Sequence, residues 1–374
     1  MRIANGSNNG ARLFGGGEVW GIVLAGSYDR GDQSVTQFLR RPMLPLVQTP
    51  TICYPLQWLR AAGIRSAVIC ANTSTPELRL PLATVAELDV HLTYSVEAHP
   101  RGPAGCVRDA GLMSDGARFV VVEASTIPAL DLRELLDAHE ASGAAVTTVT
   151  EVEQRRTRPS SHLRRPGGVY VFERDVLSRI APMGFQDIKQ GLLDRLHAEG
   201  VRVHAHEVLG ISSRILDFAS YMSVSRWIIG HPEKRTLFLT DFTPVGEGLH
   251  HPTAQVSASA RLVGPVILGA NVKVEPHAVI VGPTSIGRDC VIGKMSVITR
   301  SVLLSSVTVG AEASIDSSLV TDGVSIPNRF EISGALQSES PPFTSLASRK
   351  RSSDMDPPPT ATKSGVTRFP VRSR

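Results

Sequence analysis

Cysteine is scarce in this chain of 374 residues: Cys53, Cys70, Cys106 and Cys290 stand far apart and form no C-x-x-C pair. With no histidine at metal spacing, that distribution excludes a disulfide framework and a cysteine zinc site. Cys53, Cys70 and Cys106 lie in apolar or glycine-rich surroundings and read as small packed residues. Long hydrophobic runs are missing too. No segment reads as a membrane span, and the polar residues 1–10 lack the apolar core of a signal peptide. Cytoplasm is the expected compartment, with no membrane partner. Excess charge is confined to one end. Residues 336–374 hold seven Lys/Arg and three Asp/Glu and so account for the whole net charge of +4. The rest sums to zero, which excludes an electrostatic case for nucleic-acid binding by the folded part.

What is present is enough chain, 42% of it apolar, for two domains with separate cores. Residues 1–18, rich in Gly and Asn, read as a flexible leader. From Val19 the pattern alternates. Strands are predicted at 20–25, 66–71, 90–96, 119–122, 144–152 and 167–172. A helix is predicted over 52–62, stopping at Gly63, and another over 132–142, capped by Asp131. A loop at 101–105 feeds a short helix from Cys106. Alternation of this kind predicts an α/β fold with a doubly wound, mostly parallel sheet over 19–235, followed by a linker at 236–249.

The period then changes. Val256, Leu262, Leu268, Val274, Ile280, Ile286, Ile292, Ile298 and Leu304 stand six apart without a miss. Small or β-branched residues follow four positions later at Ala260, Val266, Val272, Ala278, Thr284, Ser296 and Val302. Hexads of this kind predict a left-handed parallel β-helix over 250–335, about 18 residues per triangular coil, with the aliphatics pointing inward. A one-residue slip is placed after Leu304, and Val309 and Ile315 resume the row. An open coil end or flat face would favour self-association, so a homo-oligomer through the β-helix is expected. The basic, Ser/Pro-rich tail at 336–374 is expected to be disordered.

Val23-Leu24-Ala25-Gly26, a polar spacer, and Pro42-Met43-Leu44-Pro45 resemble the opening of the sugar-phosphate nucleotidyltransferases, the NDP-sugar pyrophosphorylases. Their pattern is L-A-x-G-x-G-T-R, then P-K-P-M-L-P. The register continues through GPAG at 102–105 (G-T-A-G in the family) and FVVVEASTIPALDL at 119–132 (F-L-V-V-N-G-D-x-L-x-D-L-D-L). GGVYVFERDVL at 167–177 matches N-A-G-I-Y-V-F-x-x-x-V-L, and RILDFASYM at 214–222 matches D-I-G-T-P-x-x-Y-L. Coverage is about 19–230. A β-helix behind such a domain resembles the mannose-1-phosphate guanylyltransferase and glucose-1-phosphate nucleotidyltransferase branch.

The resemblance implies transfer of a nucleotidyl group from an NTP to a sugar 1-phosphate with release of pyrophosphate. That chemistry needs Mg²⁺ on carboxylates and fixed cations around the phosphates. The family's two metal aspartates fall here on Ser125 and Arg214. A hydroxyl is no substitute for an anionic Mg²⁺ ligand, and a guanidinium repels the ion. Ser27-Tyr28-Asp29-Arg30-Gly31 replaces the Gly-x-Gly-Thr-Arg core, and Arg41 replaces the lysine. The family's sugar-phosphate lysine has no match in 151–165. Arg30 and Arg41 are the candidate phosphate-binding residues. Gly26, Gly102, Ala104 and Gly105 fall on nucleotide-binding positions. Glu123, on the same strand face as Ser125, and Asp217, three residues past Arg214, are candidate substitute metal ligands. Their plainer readings are a polar strand end and a helix cap.

The Gly15–Gly17 run precedes its strand, so it is not a phosphate loop. His250, His251 and His277 raise the remote alternative of a hexapeptide acyltransferase, but no acid/base partner accompanies them. Two function classes stay open. One is a catalytically degenerate protein of NDP-sugar metabolism, binding a nucleotide or NDP-sugar in a regulatory or binding role, with a protein partner as a further candidate. The other is an active nucleotidyltransferase with a rearranged metal site, which would require Mg²⁺.

Overall fold

The apolar runs of the first half become the interior strands of one sheet. The computed structural model describes residues 18–26, 42–72, 78, 88–97, 99–154, 162–209, 214–235, 238–338 and 365–368. Arg30, Arg41, the Gly15–Gly17 run and most of the leader and tail lie outside the described residues. The chain divides into two compact units: one built on 1–31, 40–43 and 50–215, the other on 32–39, 44–49 and 216–374.

In the first unit, β1 (Val19–Leu24), β4 (Ser66–Asn72), β5 (His91–Glu97), β6 (Arg118–Glu123), β7 (Val146–Gln154), β8 (His162–Glu173) and β9 (Val203–Leu209) form a sheet of order β5-β4-β1-β6-β8-β7-β9. Two short strands, β2 (Pro45–Leu46) and β3 (Thr49–Pro50), pair with each other outside it. The sheet is mixed: β5, β4, β1 and β6 run parallel, while β8 is antiparallel to both of its neighbours. Strand order reverses about β1, with β4 on one side and β6 on the other. A ligand crevice is expected outside the carboxyl ends of strands at such a switch point.

Helices α1 (Cys53–Ala61), α2 (Gly102–Leu112) and α3 (Leu132–Ser142) connect these strands. For α3 the expected signals operate: the Asp131 side chain accepts from the Arg133 N–H at 2.8 Å, and Gly143 closes the helix at φ 59°. The second helix begins earlier than expected. Residues 102–105 are its first turn, not a free loop, and Pro103 sits where a missing N–H costs no intrahelical bond. Beneath α2, Ala104, Val107 and Ala110 meet Ile22, Val68, Phe119, Val121 and Tyr170 in a buried cluster.

In the second unit the hexads form a three-sided parallel β-helix. Register runs Val256–Val274–Ile292–Val309–Ile326 on one side and Leu262–Ile280–Ile298–Ile315–Ile332 on another. The third side runs Leu268–Ile286–Leu303–Val320–Gln337. The slip therefore falls before 303, and Leu303 takes the position assigned above to Leu304. Most of these aliphatics are fully buried, but Val256, on the uncovered first coil, stays 37% exposed. Corners use left-handed backbone, as at Asn271, His277 and Asp289.

The β-helix unit exceeds its hexads at both ends. A helix, α4 (Phe218–Gly230), belongs to it and packs against strand Thr284–Ile286. The stretch expected as a linker contributes strands Thr243–Val245 and Gly248–His250 to the third side's stack. Strand Ala335–Ser338 continues that stack past 335, and Gly365–Arg368 pairs with it antiparallel, covering an otherwise open edge. The hairpin residues 44–49 also belong here: Gln48 donates to the Ile286 carbonyl, and Tyr221 Oη donates to the Pro45 carbonyl at 2.6 Å.

Candidate functional site at the carboxyl end of strand six

β6 ends at Glu123, whose register partner on β1 is Leu24. The chain then turns, with Thr126 N–H on the Glu123 carbonyl at 2.9 Å, so the strand does not carry through to Ser125. The expectation that Glu123 and Ser125 share a strand face fails at this turn. Thr126 instead bridges to Arg214, and Ile215 N–H donates to the Ser125 carbonyl at 2.9 Å. This short pairing delivers the Arg214 guanidinium to the Glu123 carboxylate, and the two form an ion pair. Both are largely withdrawn from water, with side-chain exposures of 26% for Glu123 and 13% for Arg214.

Gly168 on β8 makes room for the pair. At φ 72°, a Cβ there would lie 2.6 Å from Thr126 Oγ1 and 2.9 Å from Arg214 Nε. Arg214 Nη1 reaches the Pro166 carbonyl at 3.3 Å. Among the described residues, Arg214 Nε and Thr126 Oγ1 are buried without a hydrogen-bond partner. The charges of the pair also act on Tyr170 and Lys189. Burial pushes the Tyr170 phenol up, and the Glu123 charge adds to it. Burial holds Lys189 below the usual lysine value, with Glu123 and Asp187 opposing and Arg214 reinforcing that shift. Lys189 makes no side-chain hydrogen bond or ion pair among the described residues.

The glycine turn is packed as well as preorganised. Ala104 N–H donates to the Gln186 carbonyl at 3.0 Å, and Gln186 N–H donates to the Arg101 carbonyl at 2.7 Å. Gly102, at φ 74°, lies where a Cβ would sit 2.4 Å from the Gln186 oxygen. Arg101 is clamped by Asp109 at 2.8 Å, and that hydrogen bond holds its pKa above the usual arginine value. Gly26 N–H is bound to the Cys70 carbonyl at 3.0 Å. Asp217 is a helix cap: its carboxylate accepts from Ser220 N–H at 2.8 Å in a reciprocal capping box. His277 is an exposed β-helix corner at φ 62°, and His251 Nδ1 pairs with Thr253 Oγ1 at 2.9 Å. Neither has an acid partner among the described residues.

Comparison with known proteins identifies both parts of the chain. The family described as "Nucleotidyl transferase" matches residues 21–162, and "GMPPB C-terminal domain" matches 262–340. The chain carries a nucleotidyl transferase domain followed by a GMPPB C-terminal domain. It is 26% identical over 323 residues to a mannose-1-phosphate guanylyltransferase of Mycobacterium tuberculosis, covering 80% of this chain and 83% of that one. To a glucose-1-phosphate thymidylyltransferase of Streptomyces griseus it is 25% identical over 349 residues, covering 83% and 94%. A mannose-1-phosphate guanyltransferase of Candida albicans is 32% identical over 160 residues, only 41% of either chain.

The Mg²⁺ that this family implies does not fit the residues present. Ser125 offers no charge, and Arg214 already occupies the Glu123 carboxylate. Among the described residues no group of three or more His, Cys, Asp or Glu could hold an ion. Lys189, Tyr170, Thr126 and Gly168 were not singled out from sequence. The available signal was Gly167-Gly168 before the YVF strand, where the family also has a glycine.

Proposed function

We propose that this nucleotidyltransferase-family chain binds a nucleotide or NDP-sugar but transfers the nucleotidyl group poorly, acting as a binding or regulatory protein. The carrying observation is the Glu123–Arg214 ion pair. It stands at the carboxyl end of β6, where the family pattern puts metal carboxylates, and it neutralises Glu123 there. Catalysis of phosphoryl-type transfer rests on positioning and electrostatic stabilisation, so losing the metal removes most of what would steady the charge on the transferring group. Binding is less affected. Gly26 at the carboxyl end of β1 and the buried turn Gly102, Ala104 and Gly105 that opens α2 keep small residues at the family's nucleotide positions beside the switch point, which supports retained binding there.

The names of the relatives favour the second reading, an active enzyme, and direct the choice of probes. Calorimetry with GDP-mannose and dTDP-glucose, alongside pyrophosphate release from the matching NTP and sugar 1-phosphate, separates the two. Binding without turnover supports the proposal, and turnover overturns it.

Self-association through the β-helix belongs to the same proposal. Arg261, Val279, Val297, Ser314 and Glu331 form one register row on a β-helix side, and Val263 and Val281 lie beside it. Val263 and Val297 are exposed. A two-fold pairing of this face sets the Arg261 end of one copy against the Glu331 end of the other while covering the valines. Sedimentation showing a monomer at all concentrations would remove this part.

A further inference from the structure

We infer that this site meets the phosphates of its ligand with the chain's own cations, Arg214 and Lys189, in place of a divalent metal ion. The inference rests on the nucleotide-binding reading above and names how that site holds its anion.

The charges at the site support it. Glu123 and Arg214 pair directly, the charges of both and of Asp187 act on Lys189, and the four groups sum to zero with no ion added. Each carboxylate is already engaged through one oxygen. Glu123 is held by Arg214, and Asp187 Oδ1 accepts the N–H groups of Lys189 and Gln190, each at 2.7 Å. Mg²⁺ demands several hard anionic oxygens in near-octahedral array, and here Glu123 Oε2 and Asp187 Oδ1 are already taken.

The donors are in the opposite condition. Among the described residues, Arg214 has a buried Nε without a partner and an Nη1 with one long contact, while Thr126 Oγ1, fully buried, is also unpartnered. Both flank Gly168, which has no side chain to cap them. The Lys189 ammonium, half-buried and acted on by the same charges, has all three donors unused among the described residues. Burial disfavours its charge, and an arriving anion would restore it. A guanidinium fork and an ammonium are the groups that bind phosphate oxygens directly. The class of ligand is a diphosphate or its ester.

The test is calorimetry on the full chain with inorganic pyrophosphate and GDP-mannose, in EDTA and then in excess Mg²⁺. Expected are affinities equal within about twofold in the two buffers, and a loss of about tenfold or more for Lys189→Gln and Arg214→Gln, the usual size for a charge-assisted contact. Arg214→Asp, which puts a second carboxylate beside Glu123, should gain Mn²⁺ binding by electron paramagnetic resonance, where the parent chain shows none. Because Arg214 is largely buried, Lys189→Gln carries the test if the Arg214 variants do not fold. Binding that requires Mg²⁺ overturns the inference while leaving the nucleotide-binding reading intact. So does binding indifferent to Lys189 and Arg214. No binding of either probe in either buffer overturns both.

Discussion

Arg214 reaches across 91 positions of sequence to pair with Glu123 at the carboxyl end of β6, and the ion pair takes up one oxygen of that carboxylate. The pair is partly buried, so its members depend on each other. Glu123→Ala leaves a guanidinium short of water and of a partner, at a cost of about 1–3 kcal/mol. Urea unfolding should register that loss. The double variant Glu123→Ala/Arg214→Ala should be less destabilised than the two single losses summed. Strict additivity would show that the pair does not couple.

Gly168→Ala should destabilise the first unit by about 2 kcal/mol, because a Cβ collides with Thr126 Oγ1 and the backbone stands at φ 72°. A thermal scan checks it. An unchanged melting temperature would mean that Thr126 and Arg214 move away freely.

Much of the fold can be read from local pattern. The α3 helix shows cap, body and closing glycine in consecutive letters, and the hexads from Val256 to Ile298 repeat on the register that the β-helix adopts. What could not be read was set by partners far away in sequence. GPAG becomes a helical turn because Gln186 takes the Ala104 N–H. The slip falls before Leu303 because stacking on Ile286 selects which of two adjacent leucines faces inward. The Glu123–Arg214 pair depends on a two-strand bridge that no periodicity announces. Lys189 follows an Asp187 turn with no regular period, so only its charged neighbours reveal it.

Ile286→Asp should cost several kcal/mol, roughly 3–5, by placing an unpaired carboxylate inside the β-helix, where Ile286 is fully buried. Loss of the cooperative transition of the second unit is the expected readout. A variant that melts like the parent would contradict the inward placement.

Buried His139 predicts an acid limb in stability. Its Nδ1 meets Thr147 Oγ1 at 2.7 Å and its Nε2 meets Glu173 at 3.0 Å, while burial holds it below the ordinary histidine value of 6.5. In the folded chain it stays neutral at pH values where an unfolded histidine takes a proton. The unfolded state then binds more protons, so this contribution is complete above about pH 6.5 and is lost as pH falls toward the depressed value. Urea unfolding at neutral and mildly acidic pH should show the decline, and His139→Gln should flatten it. An unaltered slope would assign the decline to other groups.

The central claim is tested most directly by pyrophosphate release from the full chain with Mg²⁺, using GTP with mannose 1-phosphate and dTTP with glucose 1-phosphate. Each lost stabilising element at the phosphates is worth about a hundredfold in rate, so the account predicts release at background from both mixtures. Turnover of about 1 s⁻¹ or faster, the ordinary enzyme range, would contradict it.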